Sequence, residues 1–143
     1  MSELLKILQG DCRDVLKTLL DESVQCCVTS PPYYGLRDYK VDGQIGLEIT
    51  PVDYIAKMVE VFRGVHRVLR DDGTLWLNLG DSYSQKTVGP RSGGTLGAWK
   101  NGGRRDPEVG DSPIERISGL GNKQLMGMPW RVALALQADG WLL

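Results

Sequence analysis

The chain has 143 residues, 41% of them hydrophobic and 24% charged, with a net charge of −1, which fits one domain with enough apolar side chains for a core. The charge balance gives no overall attraction to nucleic acid, although a local basic patch suffices for that. No run approaches the roughly 18 apolar residues of a membrane span, and the opening MSELLKILQGDC is too short in apolar residues, and broken by Lys6, to read as a signal peptide, so the expectation is a soluble cytoplasmic protein.

Leu4 to Leu8 is a short apolar run that predicts a first strand ending at Gly10-Asp11. Asp11 stands where a helix N-cap would, and Val15, Leu16, Leu19 and Leu20 follow at helical spacing. Asp21-Glu22-Ser23 breaks that helix. Val24 to Thr29 then predicts a short buried strand. It holds Cys26 and Cys27, two of three cysteines with no C-x-x-C spacing, which read as reduced core residues. The cysteines and the single His66 share no metal-ligand spacing, and no metal is expected; His66 itself reads as structural or solvated.

Thr50-Pro51-Val52-Asp53 is a helix start: a capping hydroxyl, a proline in the first helical position and an acid in the third. Ile55, Met58, Val59, Phe62, Val65 and Leu69 mark one face of the helix that follows, and Asp71-Asp72-Gly73 is read as its end. Thr74 to Leu79 predicts a third strand, ending at Gly80-Asp81, where Asp81 reads as a cap or turn residue. Strand, helix, strand, helix, strand predicts an α/β fold with a parallel sheet. Residues 84–125 are rich in glycine and polar residues, carry seven lysines and arginines against four acids, and read as a long basic loop. That loop suits phosphate contact or a solvated linker equally. A last helix is expected from Pro129 to Asp139, and Trp141-Leu142-Leu143 begins a further strand.

In an open parallel sheet, ligands bind beyond the carboxyl ends of the strands. Gly10-Asp11, Ser30-Pro31-Pro32-Tyr33 and Gly80-Asp81 are therefore expected to share one rim. The second cluster carries chemistry. Proline carbonyls have no N–H on their own residue, the ring fixes their direction, the Ser30 hydroxyl donates or accepts, and the Tyr33 ring offers a stacking face. Together they suit a planar group with an exocyclic amine, its nitrogen aimed at an electrophile. A nucleobase fits that description once it is flipped out of a duplex. Two plainer readings stand beside this one: a strand-ending Pro-Pro turn, and a P-P-x-Y ligand for a proline-binding module, which needs an exposed flexible segment.

Val28-Thr29-Ser30-Pro31-Pro32-Tyr33 resembles the catalytic motif of the DNA amino-methyltransferases, which methylate cytosine N4 or adenine N6. Thr-Ser before the prolines looks most like the cytosine-N4 branch. Gln9-Gly10-Asp11, Gly46-Leu47-Glu48, the segment from Gly73 to Asp81 and Pro129-Trp130-Arg131 extend the likeness. The resemblance implies a Rossmann-like fold, S-adenosylmethionine as cofactor and double-stranded DNA as partner. It implies Ser30, Pro31, Pro32 and Tyr33 as catalytic residues, with Tyr34, Arg37 and Tyr39 lining the substrate cleft or standing in a loop without a role. It suggests that Asp11 either binds the adenine amine of the cofactor or simply caps its helix. The family's glycine-rich cofactor motif, F-x-G-x-G after a strand, does not occur; Gly119-x-Gly121 lies in the loop. The expectation is an N-terminal part of such an enzyme. It is either part of a site-specific DNA methyltransferase, acting on cytosine N4 or alternatively adenine N6, or a non-catalytic or split-enzyme fragment that binds DNA or a complementing C-terminal half.

Overall fold

A computed structural model describes residues 5–84, 120–121 and 123–143. The order is α1 (Cys12–Val15), a 3-10 turn (Leu16–Thr18), β1 (Val24–Thr29), α2 (Pro51–Val68), β2 (Leu69–Leu77) and α3 (Met128–Ala138). β1 and β2 pair in parallel, joined through α2, so the described residues form an α/β unit with a small parallel sheet.

α1 starts where the sequence places it. Asp11 is extended and its carboxylate accepts from the Arg13 N–H. The helix tightens after one turn, and Leu16 seats against Gly64 of α2, where an added Cβ would come within 3.1 Å of the leucine Cδ1. Arg67 of α2 then donates to the carbonyls of Leu16 (2.7 Å) and Leu19 (3.1 Å) at the end of the turn.

α2 is built as expected, with the Thr50 side chain accepting from Asp53 N–H and Pro51 in the first turn. Its buried face is Tyr54, Met58, Val61, Phe62, Val65 and Val68. It ends at Val68, earlier than expected, and the chain passes straight into β2. The Asp71-Asp72-Gly73 turn lies inside that strand as a bulge. Val24 pairs with Leu69 but Cys26 pairs with Thr74, so β2 loops out between two ladder positions. Gly73 makes this possible, because a Cβ there would lie 2.8 Å from the Arg70 carbonyl oxygen.

The core lies between one face of the sheet and the helices. Cys27, Leu75 and Leu77 pack from the sheet against a cluster containing Tyr34, Tyr54, Met58, Phe62, Val132 and Leu136. The opposite face is open: Val28 is 78% and Trp76 65% exposed, with Cys26 and Thr74 beside them. This corrects two expectations. β1 is not buried on both faces, and Cys26 is exposed while Cys27 is half-buried, because neighbours in a strand point to opposite sides. Burial raises the Cys27 thiol above its ordinary range.

Two expected strands are absent among the described residues. Residues 5–9 are irregular, with Leu5 and Ile7 exposed, and Trp141 to Leu143 form no strand. A strand needs a ladder partner, and only β1 and β2 pair here. Trp141 turns back onto the helices instead: its N–H donates to the Leu136 carbonyl (3.1 Å) and its ring meets His66 edge-on at 4.9 Å. Most of the basic 84–125 segment lies outside the described residues; its two ends meet where Tyr83 bridges Leu125. No helix among the described residues is long and apolar enough to cross a membrane.

α3 is clasped to α2 by Arg63, whose Nε donates to Asp139 at 2.9 Å. That contact holds the Asp139 carboxyl below its ordinary range. A carboxyl lowered in the folded state contributes stability above its unfolded value, about 3.8, and loses it as the pH falls through the folded one. The thermal midpoint of the chain is therefore expected to drop as the pH falls below 4. Asp139→Asn should start lower at neutral pH and show a shallower acid slope, read by circular dichroism.

Candidate functional site

β1 ends because Pro31 and Pro32 cannot donate to a ladder. The last paired position is held by Asn78 N–H, which donates to the Thr29 carbonyl at 2.9 Å just beyond β2. The chain then turns through Ser30, Pro31, Pro32 and Tyr33. The Ser30 hydroxyl donates to the Tyr33 hydroxyl oxygen at 3.1 Å. The Tyr33 ring lies on Gly80, where an added Cβ would stand 2.7 Å from Cε2. Two of the three clusters expected at the strand ends therefore meet, and the glycine is what lets the ring approach.

Behind the turn the backbone is pinned from several sides. Tyr54, fully buried in the first turns of α2, donates its hydroxyl to the Pro32 carbonyl at 2.9 Å. Leu36 N–H donates to the Tyr33 carbonyl at 3.3 Å, and Gly35 N–H to the Gly46 carbonyl at 2.7 Å. Gly46 has φ +106, and a Cβ there would lie 3.0 Å from the Tyr33 carbonyl oxygen, so only glycine allows this approach. Its N–H donates to the buried Glu48 Oε2 at 2.9 Å. The other carboxylate oxygen lies 3.3 Å from the Lys57 ammonium, an ion pair without hydrogen-bond alignment. The Pro31 carbonyl takes no hydrogen bond among the described residues.

In front of the turn is a cleft of about 220 Å³ lined by Ser30, Pro31, Pro32, Tyr33, Leu36, Arg37 and Tyr39. Gln44 shapes its far wall: its side chain accepts from Tyr39 N–H (2.7 Å) and donates to the Arg37 carbonyl (2.9 Å). Arg37 and Tyr39 are thus brought to the turn, whereas Tyr34 is 1% exposed and packs in the core against the Tyr54 ring at 5.4 Å. Tyr34 is a core residue rather than a cleft residue, because the turn sends it to the opposite side from Tyr33. Asp11 is not joined to the turn. Arg13 contacts both its carboxylate oxygens, at 2.9 and 2.5 Å, and holds its carboxyl down to about 2. In this arrangement Asp11 is a helix cap.

Asp81 does more than cap its own turn. Its two oxygens accept from the N–H groups of Ser82 (2.8 Å), Gly127 (3.0 Å) and Met128 (2.9 Å). The N-terminus of α3 has no side-chain cap from its own Gly127, so Asp81 supplies one from a distant segment. Tyr54, Glu48 and Asp81 are contributors that spacing alone does not assign. The signals were slight: a tyrosine where a helix meets a turn, an acid two residues after a glycine, and an acid after a strand. Among the described residues no group of three or more His, Cys, Asp or Glu is placed to hold a metal ion.

A flat ring, a hydroxyl and an unclaimed carbonyl on a rigid turn can hold a planar group by its face and its N–H donors. Gly80→Ala is expected to swing the Tyr33 ring aside and break its contact with Ser30, which nuclear Overhauser contacts of the ring report, with a stability loss of about 1–3 kcal/mol. Asp81→Ala leaves N–H groups at the start of α3 without acceptors and should cost about 1–3 kcal/mol in urea unfolding.

Comparison with known proteins follows the same residues. A family model described as DNA methylase matches residues 24–143. The chain is 48% identical over 137 residues to the Type II methyltransferase M.XycI of Xanthomonas campestris pv. cyanopsidis, covering 96% of this chain and 43% of that protein. It is 49% identical over 143 residues to the Type II methyltransferase M.SmaI of Serratia marcescens, covering 96% of this chain and 44% of that protein. M.Cfr9I of Citrobacter freundii, also a Type II methyltransferase, is 46% identical over 137 residues, with 96% of this chain and 43% of that protein covered. The chain thus spans less than half the length of these relatives. No solved structure matches it. By the match from β1 through α3, the chain belongs to the DNA methylase family.

Proposed function

We propose that this chain is the acceptor-side part of a site-specific DNA methyltransferase with a Rossmann-like catalytic domain. The reaction is transfer of a methyl group from S-adenosylmethionine to the exocyclic N4 amine of cytosine in double-stranded DNA. The observation that carries the reading is one cleft lined by Ser30, Pro31 and Tyr33, in which the serine and tyrosine hydroxyls are hydrogen-bonded and the Pro31 carbonyl takes no hydrogen bond among the described residues. A base flipped into it stacks on Tyr33 while its amine hydrogens reach the Pro31 carbonyl and Ser30. Two acceptors draw the N–H groups into the plane of the turn and leave the nitrogen lone pair directed out of it. Holding a weak nucleophile in that attitude is how positioning accelerates a transfer. Arg37 and Tyr39, on the same wall, are the residues we assign to substrate contact.

We assign the cleft at the turn to the methyl acceptor rather than to the methyl donor. Arg13 fills the Asp11 carboxylate, and the cleft at the turn falls below the roughly 300–1,000 Å³ of pockets that enclose ligands of that size. A second reading, a split or non-catalytic fragment, is favoured by one observation: among the described residues the sheet is bare on one face. In that reading it works only with a complementing polypeptide.

The test is transfer of labelled methyl from S-adenosylmethionine to mixed-sequence duplex DNA. It compares this chain alone with the polypeptide encoded by the whole reading frame that contains it. Label is expected in DNA from the longer polypeptide, recovered as N4-methylcytosine after digestion to nucleosides, and none from this chain alone. Tyr33→Ala in the longer polypeptide should lower transfer about 10- to 100-fold, the cost of losing one stacking platform. Recovery of N6-methyladenine would move the assignment to adenine. No label from the longer polypeptide would sink the enzyme reading and leave the fragment reading.

A further inference from the structure

We infer that Tyr54 is a positioning residue that selects the Pro31 carbonyl, by occupying that of Pro32, as the acceptor facing the substrate amine. The inference rests on the methyl-transfer reading and assigns a role to a core residue that lies outside the cleft.

Two successive prolines put two carbonyls at the end of β1, neither with a local N–H to compete for it. Either could receive an amine hydrogen, and a turn offering both would hold a substrate in two registers. The Tyr54 hydroxyl donates to the Pro32 carbonyl at 2.9 Å and removes that choice. Tyr54 is itself immovable. It is 0% exposed, its ring packs on Tyr34, and its N–H donates to the Thr50 carbonyl at 3.2 Å in the capped start of α2. Burial pushes its hydroxyl well above the ordinary tyrosine range, so it stays a donor.

The Pro31 carbonyl is thereby framed. On one side Asn78 N–H fixes the Thr29 carbonyl, and on the other Tyr54 fixes that of Pro32. Between those points both proline rings set their own φ, so little backbone freedom is left to turn the Pro31 peptide plane. Gly46, held by Glu48, backs the next carbonyl at Tyr33. A hydrogen bond from the hydrophobic core thus sets the direction of a carbonyl at the surface.

Tyr54→Phe in the polypeptide of the whole reading frame tests this, because it deletes the hydroxyl and keeps the ring. With proline carbonyls labelled with carbon-13, the Pro32 resonance is expected to shift upfield in the variant and the Pro31 resonance to broaden or move with it. Assayed well below its unfolding midpoint, the variant should transfer methyl groups about tenfold more slowly in a single turnover, with duplex affinity changed less than twofold. A lower unfolding midpoint with an unchanged single-turnover rate would mean the hydroxyl only stabilises the core, and the inference fails. A Pro32 resonance left in place overturns it whatever the rates. If the unsubstituted polypeptide transfers no methyl group at all, the methyl-transfer reading fails first and the role of Tyr54 in it fails with it; a shifted Pro32 resonance then shows that the hydrogen bond was not at fault.

Discussion

The chain leaves β1 through two residues that have no N–H to give. A strand cannot continue past that point, and the carbonyls that follow must find partners elsewhere. Most of the molecule is arranged around meeting that demand. The Pro32 carbonyl brings in Tyr54 and with it the start of α2. The Tyr33 and Tyr34 carbonyls bring in Leu36 N–H and the Ser82 hydroxyl, and the bend beneath them needs Gly46 at positive φ. The Tyr33 ring lies on Gly80, and the next residue, Asp81, holds the start of α3. One covalent peculiarity of proline therefore ties the ends of both strands and the N-termini of two helices to a single point.

The same unit is unfinished on its other side. Parallel strands are covered on both faces in nearly all proteins that have them. Here α2 and α3 cover the face with Cys27, Leu75 and Leu77, while Val28 and Trp76 stand in the open. The residues that shape the cleft at the turn lie within this stretch, and among the described residues none covers Val28 and Trp76.

What the sequence disclosed, and what it hid, follows from how local each cause is. The Thr50-Pro51 start of α2, the cap at Asp11 and the end of β1 at the prolines depend on neighbours in sequence, and each is found where expected. The strands at Leu4–Leu8 and Trp141–Leu143 needed partners, and an apolar run cannot say whether a partner strand exists. Asp71-Asp72-Gly73 reads as the end of a helix in the sequence, whereas it is a bulge inside β2, which only pairing with β1 discloses. At the site, Arg37 and Tyr39 came to the turn while Tyr34 went into the core. Tyr33-Tyr34 is adjacent in sequence, and which ring faces out is decided by Gly80 on one side and Tyr54 on the other. Asp81 and Tyr54 act across 46 and 22 residues of chain, and no spacing rule reaches that far.

In the methyl-transfer reading the turn recognises an amine before it recognises a base. Cytosine and adenine both present a planar NH2 to a carbonyl and a hydroxyl, and both offer Tyr33 a face to stack on. Ser30, Pro31 and Tyr33 therefore set the kind of group that reacts. The bases differ in breadth and in what lies beside the amine, so the choice between them belongs to the wall opposite the turn. In this chain that wall is Leu36, Arg37 and Tyr39, with Gln44 bonded to the backbone of the last two and Leu36 N–H bonded to the Tyr33 carbonyl. The two tasks thus sit on adjoining pieces of backbone, one rigid from its own covalent geometry and one braced largely by a glutamine side chain. Such a division lets the wall vary without disturbing the carbonyl that directs the amine.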